Sequence, residues 1–128
     1  MSESLLWQIT RTSNCNLRKQ QGKVFFTKEK GNLTSMNSFK ASGLANERTA
    51  DISVGKDGNV VLSFKSNKAM LSKPAKMYKS ITLNKGARRS LKIVDKVLSK
   101  TRPDLKKVAL ARASKLIKAQ NKAKAASK

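Results

Sequence analysis

The second half of this chain carries almost no counter-charge. Residues 65–128 hold 20 Lys and Arg against 2 acids, whereas residues 1–64 hold 9 against 5. Over 128 residues the balance is 29 to 7, a formal net charge of +22. Like charges at this density repel one another and oppose compaction unless a polyanion neutralises them. The first half is close enough to neutral to form a globule on its own. The second half carries the electrostatic footprint of a partner. Nucleic acid is the first partner class this implies, and an anionic membrane surface the second.

The length suits one domain of ordinary size. Hydrophobic residues make up 38%, below the roughly 45–50% of a globular chain, so the core is modest. Cys15 is the single cysteine; no internal disulfide can form, which fits a reducing compartment. "LLW" near the start is too short for a secretory h-region, and no apolar run approaches a membrane span. The "NLT" triplet at Asn32–Thr34 matches a glycosylation sequon, but carries little weight without a signal peptide.

Five stretches read as strands, two of them joined by a turn. "LLWQIT" (Leu5–Thr10) is a short strand or a helix end, with strand preferred. "KVFFT" (Lys23–Thr27) is a strand by its β-branched and aromatic content. In "ADISVGKDGNVVLSFK", Ile52 and Val54 alternate with Asp51 and Ser53. Val60, Leu62 and Phe64 alternate with Val61, Ser63 and Lys65. Gly55-Lys56-Asp57-Gly58 lies between the two runs and can supply positive φ, so the segment predicts a β-hairpin. Met77, Lys79, Ile81 and Leu83 form one face of a further strand after Pro74, which argues against regular structure at its own position.

Helical spacing closes the chain. Ala87, Leu91, Val94 and Leu98 fall at intervals of 4, 3 and 4, and Val97 widens the stripe. Arg88, Arg89, Lys92, Lys96 and Lys100 fall on the opposite side. Pro103 suits the first turn of a second helix, with Asp104 favourable near its positive end. There Leu105, Val108, Ala109, Ala113 and Leu116 share one face; Lys107, Lys115, Lys118 and Lys122 share another. Arg112 lies at the edge of the apolar face, where a charge needs a partner. Asp95, Asp104 and a phosphate are the options, with a pair inside the chain expected first.

The fold class read from this pattern is α+β: a small β-rich globule with a hairpin over residues 1–83, two basic C-terminal helices over residues 84–120 of the same domain, and a flexible basic tail over residues 121–128.

Enzymatic chemistry has little to work with. There is no His, which removes the commonest general base and metal ligand. One Cys cannot build a structural zinc site; without a His partner its expected state is a buried thiol. The seven acids are scattered, and "GKDG" lacks the spacing of a phosphate-binding loop. No catalytic residue, metal or cofactor is expected.

Unopposed cations remain. Ordinary surfaces interleave the two signs, so helix faces of one sign are expected to meet phosphate. Aromatics are few and no stacking cluster is apparent, so contacts to the backbone and shape of folded RNA fit better than duplex DNA or single-strand reading. The expected RNA contacts are Arg88, Arg89, Lys92 and Lys96 on the first helix and Lys107, Lys115, Lys118 and Lys122 on the second. Arg102 stands between the helices, and Lys73, Lys76, Lys79 and Lys85 precede them. The polar span Thr27–Thr49 adds Asn37, Ser38, Lys40 and Arg48. Its central loop, "NSFKASGL" (Asn37–Leu44), is expected to pack on its own domain through Phe39 and Leu44. The alternative makes Phe39 a plain core anchor.

Four blocks resemble one known family: "LWQITRTSNCN", "NLTSMNSFKASGL", "KPAKMYKSITLNKGAR" and "RPDLKKVALARASKLIKAQ". In this order they are similar to the twenty-eighth large-subunit proteins of the eukaryotic ribosome. The resemblance spans Leu6 to Gln120. It implies a small α+β domain with C-terminal helices, bound to large-subunit rRNA beside other ribosomal proteins. It implies a structural part in translation in the cytoplasm, after nucleolar transit, with no small-molecule substrate and no membrane. Animal relatives carry a longer basic extension than this chain. A nucleolar assembly factor of the related Mak-sixteen type shares the Trp…Asn-Cys pattern and is the alternative. A basic peripheral membrane protein is a third reading, which needs exposed bulky apolar residues beside the Lys stripes.

Overall fold

A computed structural model describes residues 2–19, 25–65, 73 and 76–126. The chain runs through helix α1 (Glu3–Thr10), strands β1 (Leu17–Lys19), β2 (Phe25–Thr27), β3 (Ala50–Val54), β4 (Val60–Lys65) and β5 (Tyr78–Thr82), then helix α2 (Ala87–Thr101), a 3-10 turn (Pro103–Leu105) and helix α3 (Lys106–Ala126). The architecture is α+β. A two-stranded antiparallel ribbon, β1–β2, stands apart from a three-stranded antiparallel sheet ordered β3-β4-β5.

The hairpin forms where the alternation predicts it. Ile52 pairs with Leu62 and Val54 with Val60. Gly58 takes φ 71° in the connecting turn, a conformation that costs glycine little and other residues more. β5 adds to β4 with Ile81 opposite Leu62. Since paired residues share a face, Ala50, Ile52, Val60, Leu62, Ile81 and Leu83 form one apolar surface. α2, the 3-10 turn and α3 cover it with Val94, Leu98, Leu105, Ala109, Ala113 and Ile117. Ala109 and Ala113 are fully buried; small side chains there let α3 approach the strands closely.

The apolar stripes differ in detail from expectation. In α2 the buried line is Ser90, Val94 and Leu98; Ala87, at the helix start, is exposed. Ser90 tolerates burial because its hydroxyl donates to the Lys85 carbonyl at 2.7 Å. In α3 the line is Ala109, Ala113 and Ile117, continuing Leu105 at a constant step of four, and Val108 is 40% exposed. α2 ends at Arg102, whose extended φ of −145° is the conformation that a following proline favours. α3 continues to Ala126, beyond the Gln120 at which the sequence pattern stops.

Two expectations change. Leu5–Thr10 is helical, because Ser2 caps the helix by accepting from the Leu5 N–H at 3.3 Å and Glu3 sits at its positive end. Cys15 is exposed in the turn after α1. The expected strand Lys23–Thr27 is present over Phe25–Thr27; Lys23 and Val24, like Pro74 and the last two residues of the tail, lie outside the described residues. Among the described residues no helix is long and apolar enough to cross a membrane.

Candidate nucleic-acid interface

The two basic helices pack side by side with their apolar lines inward, so their cations face out. At 100° per residue, Arg88, Arg89, Lys92 and Lys96 gather opposite Val94 and Leu98, and all four are exposed. Lys107, Lys115, Lys118 and Lys122 gather opposite Ala113 in the same way, and these too are exposed.

The only acids on this half are both engaged by bases. Asp95 of α2 meets Lys106 of α3 at 2.7 Å. Asp104 meets Arg102 at 2.9 Å, and the Arg102 hydrogen bonds hold its carboxyl below the ordinary carboxylate value. These pairs reduce the negative potential that would otherwise oppose phosphate at the helix surfaces.

The start of α2 is also electropositive. Gly86 caps it without a side-chain acceptor, and the first turn holds no acid. Lys85, Arg88 and Arg89 surround a helix end that already carries partial positive charge. A cleft of about 250 Å³ lies there, bounded by Lys85, Gly86, Asn84, Asn121 and Lys124 among others. Lys124 joins Lys85 only because α3 extends into the segment expected to be a tail, a placement without local sequence signal.

The loop candidates are organised by internal contacts. Arg102 donates to Asp104 and also to the backbone carbonyls of Lys40 at 2.7 Å and Arg48 at 3.0 Å. Its guanidinium is therefore largely spent inside the protein, whereas the Lys40 and Arg48 side chains that it brings together are exposed. Asn37 donates its amide to the Arg11 carbonyl at 2.8 Å; Asn37 and Ser38 are half-buried. Lys73, Lys76 and Lys79 are exposed on the approach to β5 and within it.

Phe39 and Leu44 are not the loop's anchors: they are 40% and 44% exposed, and Phe39 lies against Trp7 with ring centroids 6.0 Å apart. Small residues do the packing. Ala41, Ser42, Gly43 and Ala45 are buried, and a Cβ on Gly43 would overlap the Lys30 carbonyl. Lys65 reaches into the loop from β4, donating to the carbonyls of Gly43 at 2.6 Å and Asn46 at 2.8 Å. Burial pushes its pKa down, and Glu29, Glu3 and Glu47 oppose that shift.

Arg112 also pairs inside the chain, but not with an acid. It donates to the carbonyls of Ile52 at 2.9 Å and Leu33 at 2.6 Å. Asp51 is close enough for its charge to be felt.

The Ribosomal L28e protein family matches residues 5–119. The chain belongs to this family of eukaryotic large-subunit ribosomal proteins. The large ribosomal subunit protein eL28 of Schizosaccharomyces pombe is 33% identical over 125 residues, covering 94% of this chain and 93% of its own. That of Dictyostelium discoideum is 33% identical over 127 residues, covering 98% and 94%. The Caenorhabditis elegans protein of the same name is 45% identical over 87 residues, covering 66% and 65%.

The L28e match takes in both sheets, α1, α2 and α3 as far as residue 119. All the expected RNA contacts lie within it except Lys122, which stands with Lys124 on the final turns of α3.

Proposed function

We propose that this protein is a structural constituent of the large subunit of the cytosolic ribosome, and that it holds folded rRNA in place through the outward faces of α2 and α3. Its role is positional rather than catalytic. It works in the cytoplasm after assembly in the nucleolus, beside other ribosomal proteins. The observation that carries the reading is a pair of packed helices with exposed one-sign faces whose two nearby acids, Asp95 and Asp104, are each engaged by a base. The family membership and the names of the relatives agree with it.

The contacts proposed are to phosphate, from Arg88, Arg89, Lys92 and Lys96, from Lys107, Lys115, Lys118 and Lys122, and from Lys85 at the start of α2. Lys40, Arg48, Lys73, Lys76 and Lys79 extend the basic surface along the loop and β5. With about 6–10 phosphate contacts, affinity falls roughly 10³- to 10⁵-fold between 50 and 200 mM salt.

The test is to replace Arg88, Arg89 and Lys92 together by Glu and sediment a lysate. Reduced incorporation into large subunits is expected, with the free protein still folded. Wild-type stoichiometry in 60S particles and polysomes would remove this face from the interface. In the same gradient, wild-type protein confined to nucleolar precursors would instead support the assembly-factor reading. Flotation with lipid would support the membrane reading, although Val108 is the one large exposed apolar residue found on α2 or α3.

A further inference from the structure

The ribbon β1–β2 carries a feature that the basic helices lack. Arg18 pairs with Phe26 across the ribbon, and Phe26 bridges to Met36 on its other side. Residues paired across strands point to the same face, so Arg18, Phe26 and Met36 form one row. Lys28, two residues beyond Phe26, projects from the same face. The intervening Thr27 points the other way and is buried. The row therefore faces solvent: Phe26 is 36% and Met36 46% exposed, and Arg18 and Lys28 are exposed as well.

The charges around this row are one-sided. The acids of the first half nearest in sequence, Glu3, Glu29 and Glu47, all act on buried Lys65. Glu29 is buried, and Glu3 accepts the Glu47 N–H at 2.7 Å. An aromatic ring and a thioether flanked by two cations, with the carboxylates directed elsewhere, match a flat π-system joined to phosphate. A hydrophobic protein partner would gain nothing from the flanking charges, which it would have to desolvate.

We propose that the Arg18–Phe26–Met36 row is a stacking platform for an unpaired RNA nucleotide, with the base on Phe26 and Met36 and the adjoining phosphates on Arg18 and Lys28. It adds a single-strand contact to the phosphate-binding helices. The inference rests on the rRNA-binding reading, and its test separates the two.

The experiment measures binding of the full chain to a fluorescent unpaired RNA 12-mer and to a blunt RNA duplex of the same length. Stacking on one side chain contributes enough that removing it weakens binding roughly 5- to 150-fold. Phe26→Ala and Phe26→Leu are expected to lose that factor on the 12-mer and to keep wild-type affinity for the duplex. Phe26→Trp is expected to restore the 12-mer. Phe26→Leu retains apolar bulk without a π-face, so its loss separates stacking from folding. Unchanged 12-mer affinity in both Phe26→Ala and Phe26→Leu overturns the platform while leaving the helix interface standing. Intact binding of both RNAs by Phe26→Ala, together with lost incorporation into large subunits, overturns it in favour of protein docking. Failure of the wild-type protein to bind either RNA overturns the helix reading and the platform with it.

Discussion

Arg112 donates to the backbone carbonyl of Ile52 at 2.9 Å. The contact joins the middle of α3 to β3, an edge strand with β4 on one side only. An edge strand leaves backbone groups without sheet partners, and here a guanidinium supplies one. It reaches the Leu33 carbonyl at 2.6 Å as well. Lys, with a single ammonium, does not reproduce this planar fork. Replacing Arg112 by Met should cost about 2–4 kcal/mol, since two charge-assisted hydrogen bonds are lost and two carbonyls are left unpaired. Urea unfolding reads it directly; a midpoint equal to wild type would show that the fork is dispensable.

Asp51 lies near that guanidinium and titrates with a definite sign. Burial raises its carboxyl above the ordinary 3.8, against the pull of Arg112 and of the Ile52 and Gly31 amides. An acid with a raised folded pKa favours the folded state most when protonated. Its contribution is full below 3.8 and declines as pH rises through the raised value. Wild type should therefore lose stability relative to Asp51→Asn on going from acid to neutral pH. Parallel stability curves for the two proteins across that window would contradict the burial account.

Lys65 should be among the costliest strand residues to replace. It is 8% exposed and its ammonium serves two loop carbonyls. Lys65→Met leaves those carbonyls and the three nearby carboxylates without their cation, at about 3–5 kcal/mol by analogy with broken buried ion pairs. Hydrogen exchange should accelerate first at the Ser42 and Ala45 amides. Unaltered protection there would detach the loop from Lys65.

Two glycines should respond differently to alanine. Gly43→Ala forces a Cβ into the Lys30 carbonyl, an overpacking that costs about 1–3 kcal/mol or more. Gly58→Ala meets no atom within 4 Å and has only its φ of 71° to resist it, at about 1–2 kcal/mol. Thermal unfolding of both variants compares the clash with the strain; a smaller loss for Gly43→Ala would reverse the assignment.

The hairpin and the basic helices were legible because their signals are local. Alternation about Gly55–Gly58 places Ile52 and Leu62, and a step near 3.6 places Val94 and Leu98. The errors arise where the local signal is ambiguous or the decisive contact is distant. α1 depends on the Ser2 cap, while its apolar run Leu5, Leu6 and Trp7 has no period that separates strand from helix. Val108 and Ile117 flank the Leu105–Ala109–Ala113 line on opposite sides at similar angles, and the position of the sheet makes the choice. In "NSFKASGL" the large residues Phe39 and Leu44 suggest anchors. The anchor is a lysine twenty-one residues beyond Leu44, whose ammonium holds the Gly43 and Asn46 carbonyls, and the small Ala41, Ser42 and Ala45 are buried in the same loop. Of the candidate interface, the cations and their faces could be read directly. The internal use of Arg102 could not, because its acceptors include backbone carbonyls more than fifty residues away.

Acid should loosen the junction of α2 and α3. Asp104 has a lowered pKa because Arg102 hydrogen-bonds its charged form. Its contribution is present above the ordinary carboxylate value and is lost as pH falls through the lowered one. Since Asp104 is 37% exposed, solvent screening limits it to under about 1 kcal/mol. Asp104→Asn should remove that increment at neutral pH and leave acid stability unchanged. An equal deficit at both pH values would mean that the pair's charge is irrelevant.

Arg102 has a consequence beyond its ion pair. One guanidinium clasps the backbones at Lys40 and Arg48 to the corner where the chain turns from α2 toward α3. The span between the long loop and the helical pair is thereby set like the jaws of a caliper. A protein so braced resists any rearrangement that would bring the loop and the helical pair closer or draw them apart.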